Sequence, residues 1–315
     1  MNQFISDDEV GKTMTGEDDK EHFLSTSPLR LFKTCTRWAT RAACIILFNQ
    51  DVRALNTAMC NAGITSVIHY TWKTRYRCLR SSYLRGAFST RQNLKIATLH
   101  YLTLVKHARP DFLKIASNEG FLLWQHRADN GHSYRIHLRY PYFYNFDGDL
   151  AFCMDCDGAD IYVVSATIAP GELLGLPMQN AMLVAGIQGI NGRLDDIRTA
   201  TEACNNVSPP HMLLAAVEAF SLQLDIRDMV GIASLPGRQA QNQGYSYDSF
   251  WQPLSGQDRA GFFHHIPLPF SDKPLESIQA KHRSRARKRR ELRNAIRQEI
   301  IASARQVIAD RLLRL

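Results

Sequence analysis

The sequence predicts an α+β fold. It has a helical amino-terminal layer, an antiparallel meander leading into a mixed sheet built on a strand–glycine turn–helix unit, and a long basic carboxy-terminal helix. Three observations carry this. Between Phe121 and Ile168 apolar residues recur with a period of two, interrupted by Asn130-Gly131, Asp147-Gly148 and Asp157-Gly158, each a favourable hairpin dipeptide. From Ala181 to Ser234 an apolar run, a glycine-spaced turn and a helical pattern follow in that order. From Ala280 onward apolar residues fall at helical spacing behind KHRSRARKRR, which holds seven cations in ten residues.

Taken in order, residues 1–27 are an acidic arm poor in aromatic and β-branched residues, expected to pack little. Residues 28–117 form the helical region: Leu29, Phe32, Trp38 and the run Ala42 to Phe48 give one or two helices, Val52 to Ala62 gives another ending at Gly63, and Arg91 to His107 a third. Within it, Tyr70, Trp72, Tyr76 and Tyr83 interleave with Lys73, Arg75, Arg77, Arg80 and Arg85. That mixture suits a surface stacking single-stranded bases, or equally a half-buried segment with core aromatics and solvated or paired arginines. Residues 118–279 form the α+β core, with strands over Phe121–Arg127, Tyr134–Phe143, Leu150–Cys156 and Ile161–Ile168. Arg135, His137 and Arg139 share one face of the second strand, either wet or resting on acidic residues.

Met182 to Ile187 are apolar or small without a break, as in a strand buried on both faces. Gly186, Gly189 and Gly192 punctuate its end, and Asp195 or Asp196 is expected to cap the helix that follows. Pro209 and Pro210 end that helix, a second runs from Met212 to Leu224, and Met229 to Ala233 is the next buried strand. A polar loop, a short helix over Tyr245–Leu254 and a strand over Gly261–Pro267 complete the core. Residues 280–315 are the basic amphipathic helix, with Leu292, Ile296, Ile300, Val307, Ile308 and Leu312 on its apolar stripe.

Charge is segregated. Residues 28–139 carry 18 basic and 4 acidic groups, 140–280 carry 6 and 16, and 281–315 carry 12 and 3. Two basic regions flanking an acidic middle can pair within the fold or present one region to an anionic partner. Seven scattered cysteines suit free thiols in a reducing compartment. Cys153-Met-Asp-Cys156 has metal-like spacing, but residues three apart in a strand point to opposite faces, so no metal is expected. No apolar run is long enough to span a bilayer, and the acidic start is unlike a secretory signal. The expectation is a cytoplasmic protein without a transmembrane segment, peripheral at most to the inner membrane.

Walker A, HExxH, GxSxG, EF-hand and kinase signatures are absent. The turn Gln188-Gly189-Ile190-Asn191-Gly192-Arg193 departs from both the dinucleotide fingerprint and the P-loop. Its amides at a helix start, with Arg193 beside them, can cradle a pyrophosphate, or the turn merely joins strand to helix.

The order of elements resembles the GCN5-related acetyltransferase fold. That resemblance implies an acyl-CoA cofactor held at Gln188, Gly189, Asn191, Gly192 and Arg193, and Tyr245 or Tyr247 as the acid that protonates the leaving thiolate. Asn191 and Arg193 stand where that family's motif has glycine and glycine or alanine. Over roughly His100 to Ile300, the blocks LVAGIQG with DDIRTATEA, YDSFW followed by GFFHHIPLP, and KHRSRARKRRELRNAI resemble the VirK/YbjX family of enteric and related bacteria. This implies a virulence accessory role: correct production of the surface protein VirG and resistance to envelope stress and antimicrobial peptides. The molecular activity stays open among an acyltransferase, an RNA- or anionic-membrane-binding protein acting through Arg283, Arg285, Arg287, Lys288, Arg289 and Arg290, and a scaffold for a protein partner.

Overall fold

The computed structural model describes residues 39–64, 67, 75–141, 147–177, 180–233, 247–254, 257–259, 263–272 and 274–308. The acidic arm, the segment from His69 to Thr74, the loop over 236–244 and Tyr245 lie outside the described residues. Contacts divide the chain into Met1–Asn49, in which residues 39–47 are helical, and Gln50–Leu315. The sheet and the helices packed on it belong to the second unit.

Eight strands form one sheet in the order β1-β2-β3-β4-β5-β6-β8-β7. They are β1 (Phe121–Arg127), β2 (Ser133–Arg139), β3 (Leu150–Cys156), β4 (Ala159–Pro170), β5 (Asn180–Gly189), β6 (Asp228–Ile232), β7 (Gln257–Arg259) and β8 (Phe263–Pro267). All neighbours are antiparallel except β5 and β6. The helices are α1 (Asn49–Asn61), α2 (Thr90–His107), α3 (Phe112–Asn118), α4 (Leu194–Ala203), α5 (Pro209–Gln223), α6 (Tyr247–Trp251) and α7 (Ala280–Val307). The succession of helices, meander, strand, glycine turn, helix, strand, short tyrosine-bearing helix and final strand is the one expected. The short β7 was not expected. No described helix is long and apolar enough to cross a membrane.

Local chemistry explains most boundaries. Asp157 and Gly158 both take positive φ (51° and 91°), the backbone a two-residue hairpin between β3 and β4 requires. Asp147-Gly148 instead lies at the end of a longer connection, because β2 stops at Arg139 and β3 starts at Leu150. Gly148 is needed there for close approach, since a Cβ would sit 2.8 Å from the backbone of Ala166. Ser89 caps α2, accepting from the Gln92 amide while the Gln92 side chain accepts from the Ser89 amide. Pro209 and Pro210 open α5 rather than merely closing α4, in the first turn where their missing N–H groups cost nothing. Neither Asp195 nor Asp196 caps α4: Arg193 is the capping residue and makes no side-chain cap bond, while both aspartates sit in the first turn. There they complement the helix dipole instead.

The middle of the sheet is buried in unbroken runs, because α5 packs on β3, β4 and β5 and α2 packs on β4. Phe220 of α5 meets Phe152 of β3 edge to face at 5.8 Å. At the meander's margin, β2 alternates between buried Tyr134, Ile136 and Leu138 and half-buried Arg135, His137 and Arg139. The latter row is paired: Asp155 takes Arg135 at 2.9 Å and His137 at 3.0 Å, and Asp160 takes Arg139 at 2.8 Å. Burial alone would raise the Asp155 carboxyl, but His137, Arg135 and the Gly158 amide outweigh it and hold the group below its ordinary range. Ile296, Ile300 and Ala304 bury the stripe of α7, which packs on α5 and β1.

The segment from Arg75 to Gly86 folds as short 3-10 turns with Tyr76, Cys78, Tyr83 and Leu84 buried. Its described aromatics are therefore core residues, not a stacking platform. They help enclose a polar network in which Tyr83 donates to Asp149 at 2.5 Å, Thr167 donates to the same carboxylate at 3.1 Å, and Arg77 donates to the Gly148 carbonyl. His100 of α2 joins it from below, its Nδ1 accepting from the Ile168 amide at 3.3 Å and its Nε2 without a partner. Burial pushes this imidazole down to about 4, against a pull upward from Asp149. The folded protein takes the proton only below about pH 4 and the unfolded chain below about 6.5, so stability falls as pH drops through that window. The expected loss is on the order of 3 kcal/mol, read as the difference between pH-dependent urea midpoints of the native chain and His100→Gln. Equal slopes in the two proteins would remove His100 as the cause.

Candidate functional site

The parallel pairing of β5 with β6 covers only Met182, Leu183 and Val184 against Met229, Val230 and Gly231. β5 runs on to Gly189, while β6 ends at Ile232. One extra residue in β5 marks where they diverge: Ser165 of β4 faces Gly186 and Ala166 faces Val184, leaving Ala185 unopposed. Beyond this bulge β5 has β4 on one side and no strand on the other among the described residues. A Cβ on Gly186 would lie 2.7 Å from the Ser165 hydroxyl, so glycine lets the bulged strand close against β4.

The backbone exposed by this divergence is answered by a side chain. The Tyr247 hydroxyl donates to the Ile187 carbonyl at 3.1 Å and lies 3.4 Å from the Ile187 amide. The Arg85 guanidinium covers the Tyr247 ring at 4.1 Å. Leu84 and Arg85 hold that position with φ of 47° and 57°, consecutive left-handed residues costing about 1–3 kcal/mol each.

Tyr247 begins α6, a five-residue helix that touches three strands. Asp248 accepts at 3.0 Å from Nε2 of His264 on β8, and the Trp251 indole donates to the Ile232 carbonyl of β6 at 3.1 Å while its ring lies flat on Gly231. The block YDSFW thus fastens β5, β6 and β8 at the point where the sheet opens. Phe250 of the same helix packs on His211 at the start of α5, with ring centres 5.3 Å apart. Sequence reasoning picked out Tyr247, assigned Arg85 to a different surface, and missed Asp248, His264 and Trp251. The available signal was the adjacency of YDSFW and HH to a glycine-containing strand.

Immediately beyond Ile187 come Gln188, Gly189, Ile190, Asn191, Gly192 and Arg193, exposed apart from the half-buried Ile190. Gly192 takes φ of 78°, which favours glycine. Arg193 accepts the first helical bond, from Ile197 at 3.0 Å, so the amides of Leu194, Asp195 and Asp196 open toward solvent without intrahelical acceptors. Arg193 itself points to Asp196 at 3.2 Å. The structure therefore brings Tyr247 and the glycine turn together at the mouth of the β5–β6 divergence. It does not bring the basic run of α7 there: Arg283 bonds the carbonyls of Glu276 and Ile278, Arg290 approaches Asp272, and Arg285, Arg287, Lys288 and Arg289 are exposed.

A family profile described as "Protein of unknown function (DUF535)" matches residues 31–302. The protein described as uncharacterized protein YbjX, of Escherichia coli (strain K12), is 22% identical over 234 residues, covering 70% of this chain and 69% of the relative. Among solved structures, two mutants of a cAMP-binding acyltransferase from Mycobacterium smegmatis align at 10% identity. One covers 64% of this chain and 60% of its own with a TM-score of 0.30, the other 61% and 60% with 0.29. The chain thus spans less than two thirds of those structures, and scores of that size carry no argument about this site.

The latch has a direct test in stability. A Cβ at position 231 would fall 2.2 Å from the Trp251 ring, which cannot yield because its nitrogen is fixed to β6. Gly231→Ala is expected to cost at least the roughly 1–3 kcal/mol typical of overpacking, measured by urea denaturation. A loss below about 0.5 kcal/mol, the range of surface substitutions, would show that α6 does not bear on β6 as described.

Proposed function

The chain belongs to the DUF535 family, and from that premise we propose that it is an acyl-CoA-dependent acyltransferase serving a VirK-type role. In that role it supports production of a VirG-like surface protein and resistance to envelope stress or antimicrobial peptides, by acylating an envelope or protein acceptor. The observation that carries the enzymatic reading is the edge of β5 at Ile187, which among the described residues has no strand beside it, is met by the Tyr247 hydroxyl and is continuous with the amides that open α4. A pantetheine arm is an extended chain with two amides, so it can take the place of a missing strand against Ile187. Its pyrophosphate then reaches the amides at the start of α4. Arg193 must leave Asp196 to assist, a small cost for a pair with side chains 45% and 39% exposed.

In this reading the arm displaces Tyr247 from Ile187 and frees the phenol. The acceptor's lone pair attacks the thioester carbonyl, the carbon–sulfur bond breaks, the departing thiolate takes the Tyr247 proton, and the proton released by the acceptor returns to the phenolate through solvent. Tyr247 then has opposite effects on binding and turnover. Isothermal titration with acetyl-CoA and a longer acyl-CoA is expected to give micromolar binding, about −8 kcal/mol. Gln188→Ala/Arg193→Ala should weaken it at least tenfold. Tyr247→Phe should bind as tightly or more tightly, since Ile187 is then unblocked, yet transfer the acyl group at least a hundredfold more slowly, the low end for general acid catalysis. Absence of heat and of thermal protection with both thioesters would overturn the reading.

A second reading rests on α7. Among the described residues, Lys281, Arg285, Arg287, Lys288 and Arg289 make no ion pair, and all are exposed. Such a face binds RNA or anionic membrane with strong salt dependence. For a single-stranded RNA, Arg285→Ala/Arg287→Ala/Lys288→Ala should reduce the slope of log affinity against log salt by about 2, three contacts at roughly 0.7 each. An unchanged slope would leave this face solvated.

A further inference from the structure

We propose that His132, Cys156 and Asp157 form a divalent transition-metal site of the zinc class at the open end of the meander. The three residues come from two adjacent turns, His132 from the β1–β2 connection and Cys156 with Asp157 from the β3–β4 hairpin. Strand register brings them together. Tyr134 faces Cys156 across the β2–β3 pair, and the Asp157 amide donates to the Ser133 carbonyl at 2.9 Å, continuing the ladder one step further. His132 is the next residue along. One ligand atom from each of the three lies within 4.8 Å of the others. A tetrahedral ion with bonds of about 2.0–2.3 Å needs its ligands roughly 3.4–3.7 Å apart, so closure requires only side-chain adjustment.

The donor set itself narrows the metal. One imidazole nitrogen, one thiolate sulfur and one carboxylate oxygen suit zinc and its neighbours, and are unlike the all-oxygen shells of magnesium or calcium. Three protein ligands leave a fourth position for water, and the open position here is solvent-facing, with His132 and Asp157 side chains 47% and 53% exposed. Cys153 does not take part: it is buried under the hairpin, and the site uses only the outward half of the CxxC spacing.

Further contacts hold the ligands near one another. Asp157 Oδ1 accepts from the Ser133 amide at 2.8 Å, and Oδ2 pairs with His132 Nδ1 at 2.7 Å, closer than two ligands of one ion can lie, so this pair opens as the metal enters. The Asn130 side chain accepts from the His132 amide at 3.1 Å and donates to the Tyr134 hydroxyl at 3.1 Å, and that hydroxyl in turn meets the Cys156 sulfur. Such outer partners fix ligand geometry in metal sites. Asp196 in the first turn of α4, paired with Arg193, also lies close enough to act on Cys156. On ligation the thiol proton passes to solvent, and the proton shared by His132 and Asp157 leaves the coordinating nitrogen, to the other ring nitrogen or to solvent.

Cobalt(II) is the probe, because thiolate ligation gives a charge-transfer absorption in the near ultraviolet that oxygen and nitrogen sites lack. Titration of the reduced full chain should give one equivalent of this absorption, displaced by zinc(II). Cys156→Ser should abolish it, His132→Ala should weaken it at least tenfold, and Cys60→Ser, which removes an exposed thiol elsewhere, should leave it intact. Zinc should raise the thermal midpoint of the native chain and not that of Cys156→Ser, a readout that also shows the variant to be folded. Absorption that survives in Cys156→Ser, or that never develops in the native chain at millimolar cobalt, overturns the proposal.

Discussion

Three residue pairs of parallel strand hold the two halves of the sheet together. On one side lies the meander β1 to β5, on the other β6, β8 and β7, and the join is Met182 to Val184 against Met229 to Gly231. So short a ladder cannot by itself fix the angle between the halves, and parallel pairing is the weaker kind per residue. The remaining architecture follows from that shortage. α5 packs on the meander side, on β3, β4 and β5, and α6 straddles the join from Ile187 to His264, with the Trp251 ring seated on a strand position that must be glycine. Among the described residues a stretch of strand edge is left without a strand beside it, and the tyrosine that meets it comes from the same helix that secures the join.

Electrostatics follow the same economy. The acidic middle of the chain does not repel the basic flanks but receives part of them. Asp155 and Asp160 take the cations of β2, while Asp272 takes Arg290 and Arg293 and the buried Glu218 takes Arg297 at 3.3 Å together with the Phe270 amide. Burial raises the Glu218 carboxyl and these partners oppose it. Pairing takes up the middle of the basic helix, Arg290, Arg293 and Arg297, and leaves its amino-terminal turns and Arg305 exposed. The charge available to outside partners is therefore smaller than the composition suggests, and among the described residues of α7 it is densest in the first turns.

Local signals made much of the fold legible. Period-two alternation and the Asn130-Gly131 and Asp157-Gly158 turns define the meander, and the glycine-spaced run from Met182 marks the strand, turn and helix at its centre. What stayed hidden depends on partners distant in sequence. Nothing near Cys156 announces His132, because only the β2–β3 register makes them neighbours. Trp251 and Gly231 lie 20 positions apart, and each is unremarkable alone. Asp195 and Asp196 looked like caps because acidic residues favour helix starts for two different reasons, of which the dipole rather than the capping bond operates here. Tyr76 and Tyr83 illustrate a further limit: aromatics among arginines read alike whether they face bases or a core, and only burial separates the two.

The extra residue at Ala185 constrains how this chain can change length. Side chains along a strand alternate, so losing a paired residue such as Ile187, instead of the unopposed Ala185, would exchange the two faces of β5 beyond it and turn the glycine turn the wrong way about. Insertions between Pro141 and Asp147, by contrast, precede Gly148 and Asp149 and leave the paired strands in register. Descendants of this sequence are thus free to elaborate that connection, while at the centre of the sheet the count of residues is inherited as strictly as their identity.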